Sequence, residues 1–232
     1  MKTLGLLGGM SWESTVEYYR LVNQQTRDRL GGLHSAPLLL WSADFHEIEQ
    51  LQAAGAWEEA ASVLAEAAVA LEGAGAEVLV LCTNTMHKVA DQLEAAVTIP
   101  FVHIVDSVAA PVLARGMRRV GLLGTRFTME EAFWADRMSR HGVDLLVPGK
   151  QERDELHRII YEELCVGICS ETSRGYFLKV IEGLAGAGAE GVVLGCTEIE
   201  LLVQQQHTPV VLFPSTALHV RSAVDAALQE PG

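Results

Sequence analysis

No apolar run in the 232-residue sequence approaches the roughly 18 residues of a membrane-spanning helix, so a transmembrane segment is not expected. The apolar patch near the N-terminus is broken by Gly8 and Gly9 and leads to no small-residue cleavage pattern, so it does not read as a signal peptide. Cysteine is scarce: four residues, none in a Cys-x-x-Cys pair. A chain of this length can build a core without disulfides, so reduced thiols and a cytoplasmic setting are expected. Positive charge is short as well, with 17 Lys and Arg against 30 Asp and Glu and a net charge of −13. Without a basic stripe to displace phosphate counterions, nucleic acid is excluded as a partner. An acidic metabolite is not, because backbone amides can hold a carboxylate inside a negative protein. No Gly-x-Gly-x-x-Gly loop is present, which weakens a dinucleotide role. His87, His103, His157 and His219 show no metal-ligand spacing and read as structural or solvent-facing, so no metal is expected.

What the sequence does contain is alternation of short β-rich runs with helical patterns. The runs lie at 3–9, 36–43, 77–82, 99–105, 119–125, 191–196 and 209–213. From Trp57 to Leu71, the residues Trp57, Ala60, Ala61, Leu64, Ala68 and Leu71 recur at helical spacing while Glu58, Glu59 and Glu66 fall off that stripe. Near-continuous apolar strands joined by helices predict an α/β fold with parallel sheets covered on both faces.

The chain also repeats itself. Gly5-Leu6-Leu7-Gly8 returns as Gly121-Leu122-Leu123-Gly124, and "AGAEVLVLCTNT" at 74–85 returns as "AGAEGVVLGCTE" at 187–198. The offsets, 116 and 113 residues, belong to one register and predict two similar α/β domains, 1–115 and 116–208, joined near Arg115-Gly116. A closing helix at 215–228 could pack on either half. An ungapped alignment sets Cys82 opposite Gly195, Thr83 opposite Cys196, Asn84 opposite Thr197 and Thr85 opposite Glu198. Because successive strand residues face opposite ways, Cys82 and Thr83 are not expected to enter one pocket. Ligands of such sheets bind beyond the carboxyl ends of the strands. Halves facing each other about a pseudo-two-fold axis would bring Thr83 and Cys196 to a shared interdomain cleft. Two groups on opposite faces of a small molecule suit removal of a proton on one side and its return on the other. A thiol can serve as the base if its surroundings lower its pKa, whereas a threonine hydroxyl can only hydrogen-bond or relay a proton.

"GGMSWEST", the Asn-Thr-x-His run at 84–87 and "GCTE" at 195–198 resemble the cofactor-independent aspartate/glutamate racemase family, over essentially the whole chain. The resemblance implies a pair of cysteines that exchange the α-proton of an amino acid without pyridoxal phosphate or any other cofactor. In the common pattern a cysteine directly precedes Asn-Thr; here that position is Thr83, with Cys82 one residue earlier. The sequence thus is similar to the L-aspartate/L-glutamate-specific branch, in which Thr and Cys form the pair, and the implied catalytic residues are Thr83 and Cys196. The implied substrate contacts are Met10, Gln52, Asn84, Thr85 and Thr197. A related one-cysteine decarboxylase or isomerase, a broad-specificity racemase and a non-catalytic carboxylate-binding protein are the alternatives, and a homodimer is left open.

Several of these positions have a plainer reading. The loop at Gly8-Gly9-Met10-Ser11 can offer amides to a carboxylate or can be a tight turn, and Ser14-Thr15-Val16-Glu17 has capping-box spacing. Asn84, Thr85 and Thr197 stand where helices begin, so capping explains them as well as substrate binding. Cys165 and Cys169, one helical turn apart, read as buried small apolar residues. Relatives specific for aspartate often carry a lysine at the position of Cys165.

Overall fold

The computed structural model describes residues 1–229. It contains two compact units, Met1–Ile104 together with residues 219–229, and Val105–Leu218.

In the first unit the elements run β1 (Leu4–Gly8), α1 (Trp12–Leu30), β2 (Leu38–Ser42), α2 (Phe45–Ala54), α3 (Trp57–Gly73), β3 (Val78–Leu81), a 3₁₀ turn (Thr85–Val89), α4 (Ala90–Ala96) and β4 (Phe101–Val102). The next helix is α5 (Ile104–Ala114). The second unit continues with β5 (Arg119–Gly124), α6 (Arg126–Glu130), α7 (Ala132–Arg140), β6 (Asp144–Leu146), α8 (Lys150–Glu162), α9 (Glu171–Gly186), β7 (Val192–Gly195), α10 (Thr197–Leu202) and β8 (Leu212–Pro214). The last helix, α11 (Ser215–Leu228), passes from the second unit into the first at His219.

Both sheets are parallel and share one order: β2-β1-β3-β4 and β6-β5-β7-β8. The α/β architecture and its duplication therefore stand as the sequence repeat predicts.

Strand alternation divides the first unit's core in two. Leu7, Leu79 and Leu81 pack with Ala60, Ala61, Leu64, Ala68 and Leu71 of α3. Leu4, Leu6, Val78, Val80 and Cys82 turn the other way, onto Tyr18 and Val22 of α1 and Val220, Ala223 and Val224 of α11. Burying each Leu or Val in this way contributes roughly 1.5–3 kcal/mol. In the second unit, Leu123, Val192 and Leu194 pack with Ile159 and Ile160 of α8 and Phe177, Val180 and Ile181 of α9.

The elements differ from the sequence pattern in a few places. The strand expected over 99–105 is confined to Phe101–Val102, because the Ile104 N–H leaves the ladder to bond the His87 ring at 3.1 Å and starts α5. The compact units part at the start of α5 instead of at Arg115-Gly116, since Asp106 on that helix is tied to Arg137 of α7 at 2.8 Å and to His141 at 2.8 Å. The edge strand β6 has no counterpart among the apolar runs: it has three residues and opens on an exposed aspartate. The final strand forms over Leu212–Pro214, later than the run at 209–213, because Leu212 donates its N–H to the Gln205 side chain at 2.9 Å. Among the described residues no helix is long and apolar enough to cross a membrane.

His219 anchors α11 to this sheet. Its Nε2 lies 2.7 Å from the Val102 carbonyl and its Nδ1 2.9 Å from the Tyr18 hydroxyl. A carbonyl only accepts, so Nε2 carries the proton, Nδ1 accepts from Tyr18, and the ring is neutral. Burial holds its pKa down at about 4, from an ordinary 6.5. Between those values the unfolded chain binds a proton that the folded chain refuses, so stability is lost as pH falls through this window. The loss approaches roughly 3 kcal/mol below it. Tm measured from pH 7 to pH 4 should therefore fall less steeply in His219→Gln than in the parent, and parallel slopes would contradict this assignment.

Candidate active site

In each unit the chain leaves its first strand, places the second on one side and returns to place the third on the other. The winding reverses between β1 and β3 and again between β5 and β7, and such a switch opens a crevice at the carboxyl ends of those strands. The ladder registers are equivalent. Gly5, Leu6 and Leu7 pair with Leu79, Val80 and Leu81, and Gly121, Leu122 and Leu123 pair with Val192, Val193 and Leu194. Carried to the strand ends, this register sets Cys82 against Gly195 and Thr83 against Cys196, so backbone pairing supports the sequence alignment independently of side-chain identity.

At the first switch the chain bends sharply after β3, with the Thr83 N–H donating to the Leu81 carbonyl at 2.9 Å. Cys82 is buried in the core facing α1 and α11, and burial pushes its thiol pKa far up. Thr83 is also largely covered but belongs to neither core cluster. Asn84 stands at the cap position of the 3₁₀ turn, yet its side chain makes no cap, and Thr85 opens the turn itself. Gln52, on α2, donates Nε2 to the Met86 sulfur at 3.0 Å, while its buried Oε1 has no hydrogen-bond partner. Such an acceptor is costly to bury unless a ligand donor completes it. Met10 packs its side chain into the core that holds Met86 and Ile48.

The loop after β1 is locally satisfied. Ser11, not Ser14, caps α1, accepting from the Ser14 N–H at 3.3 Å. Thr15 Oγ1 accepts from the Gly9 N–H at 2.8 Å and donates to the Ser11 carbonyl at 2.9 Å. The helix cap thus lies three residues upstream of the expected Ser14–Glu17 box, as a simple cap at Ser11, and Glu17 pairs with Arg20. Gly9 is required here: its φ is +86°, and an added Cβ would lie 2.3 Å from the Ala43 nitrogen.

At the second switch, Gly124 and Gly195 lie side by side, and a Cβ on Gly195 would stand 2.9 Å from the Leu123 carbonyl oxygen. Beyond this narrow pair Cys196 stands at the N-cap position of α10 without a side-chain cap bond, 7% exposed, with its Sγ 3.0 Å from Glu198 Oε2. Burial, then the Glu198 carboxylate, then Cys165 raise the Cys196 pKa well above an ordinary thiol. At neutral pH the group is a protonated thiol donating to a carboxylate. Thr197 does not cap the helix through its hydroxyl; its Oγ1 meets Thr216 Oγ1 at 3.0 Å. Thus Met10, Gln52, Thr83, Asn84 and Thr85 lie in the first unit, with Gln52 bonded to Met86 and Met10 in the core that holds Met86, and Cys196 and Thr197 lie at the start of α10 in the second.

Glu198 and Thr216 are not among the sequence-derived candidates. The only signal for Glu198 is its spacing, two residues past the thiol on a first helical turn, where the carboxylate can fold back onto sulfur. Cys165 and Cys169 also depart from expectation. Cys165 lies in a 3₁₀ turn (Leu164–Val166) and packs half-buried on the second unit's core, the left-handed Gly167 ends that turn, and Cys169 is exposed. His87, His103 and His219 are buried, consistent with structural roles.

The thiols should separate by reactivity. Cys169 should be alkylated first and Cys82 only on unfolding. Since the Glu198 charge helps to hold Cys196 protonated, Glu198→Gln should move the pH profile of Cys196 alkylation, followed by peptide mass spectrometry, to lower pH. An unmoved profile would mean that the carboxylate does not act on the thiol.

With this geometry in hand, the chain can be compared with known proteins. The profile of the Asp/Glu/hydantoin racemase family matches residues 7–223. The solved structure of a candidate Asp/Glu racemase from Yersinia pestis is 54% identical, covering 99% of this chain and 100% of that one, with a TM-score of 0.93. An aspartate racemase homologue from Pyrococcus horikoshii is 36% identical over 99% of this chain and 100% of its own, with a TM-score of 0.87. Aspartate racemase from Picrophilus torridus, 18% identical over 98% of this chain and 94% of its own with a TM-score of 0.79, shares the fold.

Proposed function

Because the chain belongs to the Asp/Glu/hydantoin racemase family, we propose that it interconverts the enantiomers of an acidic amino acid, aspartate or glutamate, without a cofactor. Thr83 and Cys196 serve the two faces of one α-carbon. The observation that carries this reading is the equivalent register of the two residues: counted along the ladders, Thr83 falls two residues past Leu81 and Cys196 two residues past Leu194, the partners of the equivalent Leu7 and Leu123.

The α-proton of an amino acid is a weak acid, so its removal needs a base held in place and a second group on the opposite face. Cys196 rests protonated. Passing its proton to the Glu198 carboxylate moves the negative charge from oxygen to sulfur and leaves a thiolate, which the cationic ammonium of an arriving substrate favours where it lies nearer the sulfur. The thiolate takes the α-proton, the C–H electron pair remains on the α-carbon and spreads into the substrate carboxylate, and the Thr83 hydroxyl gives its proton to the other face as it takes one from solvent water, while Glu198 releases to solvent the proton it received. The reverse direction uses the same groups in reverse order. Gln52 supplies an acceptor for a substrate N–H. Asn84, Thr85 and Thr197 are the candidates for the substrate's carboxylates, and Met10 shapes the floor of the pocket.

Substitution separates the roles. Cys196→Ala should remain folded and lose nearly all turnover of L-aspartate and L-glutamate, followed by circular dichroism. Thr83→Ala should also lose most turnover. Cys82→Ala should cost about 1 kcal/mol of stability and leave the chemical step largely intact. Loss of activity in Cys82→Ala with activity kept in Thr83→Ala would shift the catalytic position by one residue and overturn the assignment.

A further inference from the structure

We propose that His87 is a positioning residue that holds the Thr83 main chain in place, and so decides whether the hydroxyl side of the reaction completes an inversion. The inference rests on the proposed role of Thr83. His87 is 2% exposed and lies one turn beyond Thr83 in the 3₁₀ segment. Its Nδ1 is 2.7 Å from the Thr83 carbonyl oxygen, and its Nε2 accepts from the Ile104 N–H at 3.1 Å. The carbonyl accepts and the amide donates, so only one arrangement fits: a neutral ring with its proton on Nδ1. The ring is also enclosed, with centroids 4.7 Å from His103, 5.5 Å from His219 and 5.7 Å from Phe101.

This bridge solves a problem set by the fold. The last bond to β1 is from the Cys82 N–H to the Leu7 carbonyl at 2.9 Å, so the Thr83 carbonyl lies beyond the ladder, and β4 ends before Ile104. One imidazole takes both groups and links the loop after β3 to the start of α5. Removing the ring strands a buried acceptor and a buried donor together, which favours a shift of the loop. A displaced Thr83 does not prevent Cys196 from removing a proton and returning it on its own face. Such a variant should exchange the α-proton without inverting the centre, whereas simple structural damage lowers exchange and inversion together.

The two amide substitutions divide the bridge. His87→Asn places a donor near Nδ1 and keeps the bond to Thr83, while His87→Gln places an acceptor near Nε2 and keeps only the bond to Ile104. Each variant is incubated in deuterium oxide with L- and D-aspartate and with L- and D-glutamate. Loss of the α-proton signal measures exchange, and optical rotation measures inversion. For the enantiomer whose α-proton faces Cys196, the ratio of exchange to inversion should rise at least ~10-fold in His87→Gln and His87→Ala, since displacement by about 1 Å can cost on the order of 100-fold in rate. In His87→Asn it should stay within about twofold of the parent, because the bond that orients Thr83 survives. An unchanged ratio in all variants, a proportional fall of exchange and inversion, or equal effects of Asn and Gln would each overturn the proposal. If the variants fail to fold, the nitrogen NMR shifts of His87 in the parent protein decide: a proton on Nδ1 supports the bridge, and a proton on Nε2 or on both nitrogens refutes it. Full inversion by Cys196→Ala would instead defeat the functional reading on which the inference stands.

Discussion

The parallel pairing of the first and third strands in each unit is the constraint on which the rest depends. Hydrogen bonds between β1 and β3 set the height at which β3 ends, and those between β5 and β7 do the same for β7. Because both ladders use equivalent residues, the chain leaves the two sheets at matching positions, and the residues there are Thr83 and Cys196. A slip of one residue in the first ladder would send Val78, Val80 and Cys82 into the core against α3 and Leu79 and Leu81 into the core against α1 and α11. The cost of mispacking two close-packed cores at once therefore protects the placement of the polar residue beyond them. The register of the proposed catalytic residues and the packing of the core are one requirement.

The two strand ends differ in how they treat charge. Cys196 is buried beside a carboxylate, an arrangement that keeps it protonated and gives its proton a destination 3.0 Å away. The Thr83 end is held by hydrogen bonds from the Thr83 N–H to the Leu81 carbonyl and from the His87 ring to the Thr83 carbonyl. On the proposed function, the Cys196 end would change protonation state and the Thr83 end would hold a hydroxyl in place.

Much of this was legible in the sequence because repetition and alternation are strong signals. The recurrence of Gly-Leu-Leu-Gly and of the 74–85 segment located the paired strands, and period-two reasoning sent Cys82 to the core and Thr83 away from it. Legibility failed where a side chain from elsewhere decides the outcome. The strand at 99–105 stops early because His87 captures the Ile104 N–H, and no local pattern near Ile104 announces that bond. β6 is short and opens on an aspartate, so it lacks the apolar run by which strands are recognised. Ser14 matched a capping box, yet the turn imposed by Gly9 starts the helix one turn earlier, at Ser11. Glu198 was hidden because its importance lies in a carboxylate folding back onto sulfur, a matter of rotamer and burial.

The two-group account is tested most directly by isotope. Racemisation of L-aspartate or L-glutamate in deuterium oxide is followed by NMR from the first turnover. If one group removes the α-proton and a different group delivers its replacement, the D-product carries deuterium at the α-carbon from the outset, and the same holds starting from the D-enantiomer. A product that keeps the substrate's own proton would mean that a single group carries it from one face to the other, and would contradict the pairing of Thr83 with Cys196.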